Sequence, residues 1–283
     1  MIRLEHVSYT YTKGGPFEKK ALDDVSLHIH EGEFIGVIGH TGSGKSTLIQ
    51  LLNGLLKPDS GAVIIDGKSL SDKATKMRDI RFAVGLVMQY PEYQLFEETI
   101  AKDIAFGPRN MGLSEEEIQR RVAFAAEVVG LKAELLEKSP FDLSGGQKRR
   151  AAIAGVLAMQ PKVLILDEPT AGLDPAGRDE ILYKIRDMHE RMGLTVLLVS
   201  HSMEDVAALA DRILVMNGGK LAMADTPDKI FARSEELTAM GLDVPNITSI
   251  ADGLREAGVP LTQGIYTLDA AVHAILQLER GKH

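Results

Sequence analysis

The stretch FIGVIGHTGSGKSTLIQLLNGLL, residues 34–56, decides the fold of this chain. Its first five residues are apolar and predict a buried strand, and leucines at 48, 51, 52 and 55 have the spacing of one helix face. Between them, GHTGSGKST (residues 39–47) carries glycines that let backbone N–H groups turn inward toward phosphate oxygens. The sequence therefore predicts a phosphate-binding P-loop between a strand and a helix whose N-terminus adds positive potential.

Two side chains of this loop have predicted chemical roles. Lys45 is expected to reach the β- and γ-phosphates of a bound nucleotide, and the hydroxyl of Ser46 is expected to bind Mg²⁺. A glycine-rich turn with a chance lysine is the alternative, and the complete motif spacing argues against it. The candidate nucleotide contacts of the loop are Gly39, His40, Thr41, Gly42, Ser43, Gly44, Lys45, Ser46 and Thr47.

A pair of carboxylates ends the apolar strand in VLILDEP, residues 163–169. Asp167 is expected to make a second contact to Mg²⁺, directly or through water. Glu168 follows one residue later, where it is expected to polarise the water that attacks the γ-phosphate. Solubilising charge at a strand end is the alternative for both residues, and the nearby P-loop makes that alternative weak.

The segment LSGGQKRRAAIAGVLA, residues 143–158, predicts a helix with a bare first turn. Ser144 and Gln147 have the spacing of a capping box, and two glycines expose the backbone N–H groups beside them. Such a helix N-terminus binds anions, yet a chain with a P-loop needs no second site for the same nucleotide. We expect this turn to cover the γ-phosphate of a nucleotide that another subunit holds.

Strand-like and helix-like segments alternate along much of the chain. Fully apolar strands alternating with helices are typical of a mostly parallel sheet covered on both faces. The predicted fold class is α/β: a P-loop NTPase with a mostly parallel sheet, an antiparallel β subdomain, an α-helical subdomain and a C-terminal helical extension. We predict a nucleotide-binding domain over residues 1–225 with its helical subdomain over about 96–158. The extension covers residues 226–283 and is a candidate dimer contact.

One helix of the helical subdomain has clear limits in the sequence. SEEEIQRRVAFAAEVVG predicts a capping box formed by Ser114 and Glu117 and a helix end at Gly130. Its three consecutive glutamates suit the first turn of a helix, where negative charge is favourable, better than a metal site.

The composition restricts the class of protein further. Of the 283 residues, 45% are apolar and 25% charged, and the formal net charge is −8. That charge argues against non-specific binding to nucleic acid and against direct docking on anionic lipid. The lack of cysteine excludes disulfides and thiolate metal sites and fits a reducing cytoplasm, and no secretory signal is expected. The apolar runs are too short to span a bilayer, so any work at a membrane would need a partner.

Together these motifs resemble the nucleotide-binding domain of ATP-binding-cassette (ABC) transporters. The P-loop, Gln89, LSGGQ, LILDEP, AGLDP and LLVSH occur in that order within residues 1–225. The resemblance implies a head-to-tail dimer with ATP between the P-loop of one protomer and the signature of the other. The signature residues are Leu143, Ser144, Gly145, Gly146 and Gln147.

The ABC resemblance also implies roles for four single residues. Gln89 would touch Mg²⁺ and the attacking water, Asp174 would couple the two sites of the dimer, and His201 would contact the γ-phosphate. Tyr11 matches the aromatic residue that stacks on adenine, and packing beside Tyr9 is the alternative. ATP and Mg²⁺ are the implied cofactors. The implied metal contacts are Ser46, Gln89 and Asp167.

The segment QYPEYQLFEE, residues 89–98, resembles the ATPases of energy-coupling factor (ECF) transporters, in which P-E-x-Q-L-F is characteristic. LTAMGLDVPNITSIADGLREAG, residues 237–258, resembles their helical extension. The segment would receive coupling helices of a membrane subunit, its glutamates pairing with arginines and its apolar side chains adding contact. Alternatively, the apolar residues belong to the core and the glutamates are solvated. The candidate docking residues are Glu92, Tyr93, Leu95, Phe96, Glu97 and Glu98.

The ECF resemblance implies an ATP-hydrolysing subunit that energises uptake of vitamins or other micronutrients. Its partners would be a transmembrane ECF-T-type coupling subunit, a substrate-binding membrane S component, and a second ATPase in a homodimer or a heterodimer with a paralogue. The implied location is the cytoplasmic face of the cell membrane, without nucleic acid. The alternatives are the ATPase of another ABC importer, for metal ions or amino acids, and a soluble ABC ATPase acting on nucleic acid or the ribosome.

Overall fold

The computed structural model describes the backbone of residues 1–280 and the side chains of residues 1–278. These residues form two β-sheets, surrounded and linked by α-helices. The strands are β1 (Ile2–Tyr11), β2 (Lys19–Ile29), β3 (Phe34–Ile38), β4 (Ser60–Ile65), β5 (Lys68–Ser69), β6 (Val84–Val87), β7 (Val163–Asp167), β8 (Thr195–Val199), β9 (Arg212–Asn217) and β10 (Lys220–Asp225). The helices are α1 (Lys45–Leu52), α2 (Met77–Ala83), α3 (Ile100–Asn110), α4 (Glu115–Val128), α5 (Gly145–Leu157), α6 (Pro175–Met192), α7 (Met203–Leu209), α8 (Pro227–Phe231), α9 (Ser234–Ala239), α10 (Asn246–Glu256) and α11 (Leu268–Arg280).

The six-stranded sheet has the order β10-β9-β3-β8-β7-β6 and is parallel except for its edge strand β10. Its central strand β3 is the FIGVI run, and all five of its residues are buried. A strand buried on both faces needs apolar side chains at every position, which explains the unbroken apolar run. The predicted α/β class with a mostly parallel sheet is therefore confirmed.

Alternate residues of the central strand face two different cores. Phe34 and Ile38 belong to the larger core, which α3–α7 cover, whereas Ile35 and Val37 belong to a second core. That second core lies against α1 and the four-stranded antiparallel sheet β2-β1-β4-β5. The predicted antiparallel β subdomain is this smaller sheet.

The helical subdomain consists of α3, α4 and α5, which follow β6 and precede β7 along the chain and pack on one another. The side chain of Ser114 caps α4 by accepting a hydrogen bond from the backbone N–H of Glu117. The predicted capping box is only half formed, because the Glu117 carboxylate binds Arg120 and Arg121 instead. Helix α2 has no counterpart among the elements predicted from the sequence.

Two glycines let helices approach the large sheet closely. A Cβ at Gly36 would lie 2.4 Å from Cγ1 of Val206 on α7. A Cβ at Gly85 would lie 2.4 Å from Cγ1 of Val156 on α5. The absence of a side chain at these positions therefore lets α7 pack closely on β3 and α5 pack closely on β6.

The C-terminal helices pack in two groups. Ile230, Phe231, Leu237 and Leu242 belong to the larger core, so packing continues across the predicted boundary at residue 225. Farther along, Ala251, Leu261, Ile265 and Ala271 form a small separate core. The predicted domain limits stay predictions. In residues 1–280 no helix has the length and apolar character required to cross a bilayer.

Candidate active site

The P-loop opens onto a cavity of about 370 Å³, which we call the P-loop cavity. The chain brings it together from β1, β2, the P-loop, the end of β6, the end of β7 and the loop after β8. In α/β proteins, ligands bind beyond the carboxyl ends of the parallel strands, and this cavity lies there. Its lining residues are Tyr11, Lys19, Ala21, Thr41, Gly42, Gly44, Lys45, Ser46, Thr47, Gln89, Asp167, Glu168 and His201.

The loop backbone leaves the start of α1 bare. Gly44 is the residue before the helix and has φ of 109°, a conformation that L side chains rarely adopt. A Cβ there would also lie 2.7 Å from the carbonyl oxygen of Ala21. Because no side chain caps the helix, the first N–H groups of α1 are available to an anion in the cavity.

Lys45 is the buried cation of the P-loop cavity. Its Nζ donates hydrogen bonds to the carbonyl oxygens of Gly39 and His40, the second at 3.2 Å. Burial lowers the pKa of Lys45, and the nearby carboxylates of Glu168 and Asp167 oppose that decrease. The ammonium group is therefore held by the loop backbone in a cavity that the two carboxylates also line.

Three residues of the predicted loop set hold the loop rather than line the cavity. The His40 ring is within 2.8 Å of the Thr41 carbonyl oxygen and 3.2 Å of Oδ1 of Asn217 on β9. Ser43 is fully buried, and a Cβ at Gly39 would lie 2.4 Å from the carbonyl oxygen of Met216. Their predicted contacts with the nucleotide stay predictions.

Tyr11 and Lys19 form the open side of the cavity. The Tyr11 hydroxyl lies 3.2 Å from Oγ1 of Thr47, and its ring meets the Tyr9 ring edge-on with centroids 4.9 Å apart. Tyr11 is 37% exposed and lines the cavity, and its predicted stacking on adenine stays a prediction. Lys19 and Ala21, both on β2, were not predicted. The lysine pair before ALDDV was the only sequence signal for Lys19.

Asp167 and Glu168 reach the cavity from the end of β7. Burial raises the pKa of Asp167, and the Lys45 ammonium opposes that rise. Burial also raises the pKa of Glu168 to about 7, while a backbone hydrogen bond from His201 lowers it and the Asp167 charge raises it. Glu168 therefore has the pKa of an effective general base near neutral pH.

Glu168 has an unusual backbone conformation. Its φ is 51°, in the left-handed region that non-glycine residues seldom occupy, and its N–H donates to the carbonyl oxygen of Val199 on β8 at 2.9 Å. The turn directs the carboxylate into the cavity, where its Oε1 lies 3.5 Å from Nε2 of His201. Burial, followed by the Lys45 charge, lowers the pKa of His201.

The predicted metal contacts fit Mg²⁺ by their chemistry. Ser46, Gln89 and Asp167 all line the cavity and offer a hydroxyl, an amide and a carboxylate oxygen. Mg²⁺ prefers such hard oxygen ligands and usually takes one or two carboxylates together with phosphate oxygens and water. In the described part of the chain, no cluster of three or more His, Asp or Glu side chains forms a separate metal site.

The signature turn lies outside the P-loop cavity of its own chain. Ser144 and Gln147 form the complete capping box that their spacing predicts. Gly145 is exposed and Gly146 is half-buried, and a Cβ on either would meet no atom within 4 Å. The turn is thus open to another molecule.

Asp174 has a local structural role, since its Oδ1 caps α6 by accepting a hydrogen bond from Gly177 N–H at 2.7 Å.

A second cavity, of about 260 Å³, lies beside the segment that follows Gln89. We call it the aromatic groove. Phe96 is 65% exposed and meets Phe106 edge-on with ring centroids 5.0 Å apart, and Leu95 lines the groove while packing on the larger core. Its lining residues are Phe82, Gln94, Leu95, Phe96, Asp103, Phe106, Gly107, Asn110, Ala151, Ala152, Gly155, Val156 and Met159.

The predicted docking residues differ in their surroundings. Tyr93 is 84% exposed, and Glu98 pairs on the surface with Lys102. The Glu92 carboxylate instead binds Arg149 within the chain, at 3.2 Å. The Glu92 carboxylate therefore already has a buried guanidinium as its partner, and its predicted contact with a membrane subunit stays a prediction.

Asp103 is a groove residue that the sequence analysis missed. Its Oδ1 accepts hydrogen bonds from the backbone N–H groups of Phe96 at 3.1 Å and Glu97 at 3.2 Å. Its Oδ2 is buried without a partner among the described residues, and burial raises the pKa of the group. Asp103 on α3 thus holds residues 96 and 97 of the predicted docking segment, residues 89–98. A single acid among apolar residues in IAKDIAF was the available signal.

Comparison with known proteins identifies relatives of nearly the same length. The family model for ABC transporters matches residues 22–171. The energy-coupling factor transporter ATP-binding protein EcfA2 of Caldanaerobacter subterraneus subsp. tengcongensis is 57% identical over 280 residues, which cover 99% of this chain and 98% of the relative. EcfA2 of Clostridium acetobutylicum is 58% identical over 278 residues, covering 98% of this chain and 97% of the relative.

Two solved structures share the fold. CbiO1 from Clostridium perfringens, part of the ABC transporter complex cbiONQ, has a TM-score of 0.74 and 39% identity and covers 84% of this chain and 93% of its own. A dimeric post-hydrolysis state of the ATP-binding cassette MJ0796, bound to ADP and phosphate, has a TM-score of 0.71 and 30% identity. That comparison covers 80% of this chain and 98% of the cassette.

Proposed function

Because this chain belongs to the ABC transporter family, and within it to the energy-coupling factor transporter ATP-binding proteins, we propose that it powers uptake of a vitamin or another micronutrient. The chain binds ATP and is an ATPase. The similarity to EcfA2 over nearly the whole chain supports the transport role. The observation that carries ATP hydrolysis is the P-loop cavity, where Lys45, Asp167, Glu168 and His201 meet beside the bare start of α1.

Hydrolysis uses the side chains of the cavity in distinct roles. The N–H groups of α1 and the Lys45 ammonium bind the phosphates and balance the charge that develops on them. Glu168 takes a proton from water as the water oxygen bonds to the γ-phosphorus and the bond to ADP breaks. His201, whose pKa burial lowers, orients the γ-phosphate by hydrogen bonding.

Mg²⁺ bound by Ser46, Gln89 and Asp167 would supply charge neutralisation at the phosphates.

A second ATPase would contact the γ-phosphate through its own signature turn, Ser144 to Gln147. The two glycines of this turn support the role, since the space around them would let a phosphate approach the start of α5 from outside the chain. Asp174, at the start of α6, would couple the two sites of that homodimer or heterodimer.

The aromatic groove is the proposed docking surface for a coupling helix of a transmembrane ECF-T-type subunit, which works with a substrate-binding S component. Phe96 and Tyr93 are exposed apolar anchors, and Glu97 and Glu98 supply negative charge at the rim for arginines of that helix. The chain would thereby be held at the cytoplasmic face of the membrane by its partners.

Purification of the tagged full chain in mild detergent tests the proposal. We expect capture of a transmembrane coupling subunit and a small substrate-binding membrane protein, identified by mass spectrometry, and ATP-dependent uptake by vesicles that contain this complex. Capture of ribosomes or DNA, without either membrane protein, would instead support a soluble ABC ATPase.

A further inference from the structure

One buried arginine of the signature helix joins the docking segment to the backbone beyond Glu168. Arg149 lies on α5 and is 2% exposed. Its Nη2 donates to both carboxylate oxygens of Glu92 at 3.2 Å. Its Nη1 donates to the carbonyl oxygens of Pro169 at 2.9 Å and Ala171 at 2.7 Å. A single side chain therefore contacts both the segment after Gln89 and the residues that follow the general base.

The short segment at residues 169–171 is also held from its other side. Thr170 donates its hydroxyl hydrogen to Oδ2 of Asp205 at 3.2 Å. Asp205 is 1% exposed, belongs to α7 and is further bound by Arg178 of α6. The backbone that carries Glu168 into the cavity is thus fixed between α5 and α7, and Arg149 supplies the contact on the α5 side.

We propose that Arg149 is a positioning residue for hydrolysis and that Glu92 transmits movement of the docking segment, through Arg149, to Glu168. The inference rests on the proposed roles of Glu168 and of the docking segment. A guanidinium group is planar and its donors have a fixed arrangement, so it cannot follow a displaced carboxylate without shifting its bonds to both carbonyls. Leaving any of these buried groups unpaired is unfavourable, which makes the three segments move together.

The chain contains a matched control for this arrangement. Arg121 on α4 binds Glu117 through Nε at 2.7 Å and donates through Nη1 to the carbonyl oxygens of Met159 at 3.2 Å and Ala158 at 3.5 Å. Like Arg149, it binds one carboxylate and two backbone carbonyls, but it does not contact residues 168–171. Substitution of Arg121 therefore measures how much activity is lost when such an arginine loses its contacts away from Glu168.

The test measures kcat and KM for ATP in the purified transporter complex for Arg149→Lys, Glu92→Gln and the double variant. We expect Arg149→Lys to lower kcat about tenfold and Glu92→Gln about threefold, with KM within about twofold, because misplacing a catalytic group affects turnover more than binding. The double variant should lose no more than Arg149→Lys, because the two residues act as one unit. Arg121→Lys and Glu117→Gln should keep kcat within about twofold.

Three results would overturn the inference. They are an unchanged kcat in both Glu92→Gln and Arg149→Lys, an equal loss of kcat in the Arg121→Lys and Glu117→Gln controls, and additive losses in the double variant. Glu92→Gln keeps the Arg149 contacts to both carbonyls, so it remains informative if Arg149→Lys folds poorly. Glu168→Gln measured in parallel separates the two proposals: if it retains turnover, the proposed role of Glu168 fails, whatever Arg149 does.

Discussion

The P-loop cavity and the aromatic groove differ in how their residues are arranged along the chain. Most of the P-loop cavity comes from short motifs in which adjacent residues act together, such as Gly44 to Thr47 or Asp167 and Glu168. The groove takes side chains from α2, α3, α5 and residues 94–96, with small residues such as Gly107 and Gly155 leaving it concave. The residues expected to bind and hydrolyse ATP thus lie in short sequence motifs, whereas the shape of the groove depends on how three helices pack.

The largest expected effect concerns the P-loop cavity. Glu168→Gln removes the general base while keeping the shape of the side chain, and it should cut ATP hydrolysis by about 10²–10⁴-fold. ATP binding should persist, since Lys45 and the P-loop backbone are unchanged. Phosphate release and nucleotide binding by the purified complex measure the two effects, and turnover near the wild-type value would show that another group is the base.

The next effect concerns the aromatic groove. Phe96→Ala should weaken binding of the membrane subunit about tenfold, about 1.4 kcal/mol, because an exposed aromatic anchor is lost. ATP affinity should not change. Tyr183→Ala is a matched control, since Tyr183 on α6 is 67% exposed and Phe96 is 65% exposed. Equal weakening by both variants, measured by capture on immobilised ATPase, would remove the groove from the proposed interface.

The pH dependence should separate the two regions without a mutation. Glu168 must be ionised to accept a proton, and its pKa of about 7 means that the active form is lost as pH falls. We expect kcat/KM to rise through about pH 7 and to fall about tenfold per pH unit well below it. Binding of the membrane subunit should not follow this curve. A flat kcat/KM profile between about pH 5.5 and 8 would contradict the role of Glu168.

The smallest effect concerns charge at the groove rim. Glu97→Lys with Glu98→Lys should slow association with the membrane subunit about threefold and weaken its salt dependence, because rim charges act mainly on the association rate. Glu115→Lys with Glu116→Lys makes the same change of net charge on exposed positions of α4. If this control slows association equally, the overall charge is responsible and the rim is not a specific contact.

The local motifs were predictable because each needs particular residues at fixed spacing. The apolar run before the P-loop, the glycines of the loop and the acids after VLIL were all predictable without knowledge of distant contacts. The structure brings Gly42, Gly44 and both acids to one cavity. The Ser144 and Gln147 capping box formed as predicted. The Ser114 and Glu117 box did not form completely, because Arg120 and Arg121 one turn later attract the Glu117 carboxylate.

The α/β class, the P-loop and the carboxylates at the end of a strand were predictable from local sequence, since hydrophobic pattern and motif spacing act over a few residues. The partner of the Glu92 carboxylate depends on packing between distant segments. The negative charge of Glu92 suited an incoming arginine, but Arg149, 57 residues away, lies within hydrogen-bonding distance once α5 packs beside the docking segment. Burial of Arg149 demands a charged partner, and that demand arises only when distant segments pack together.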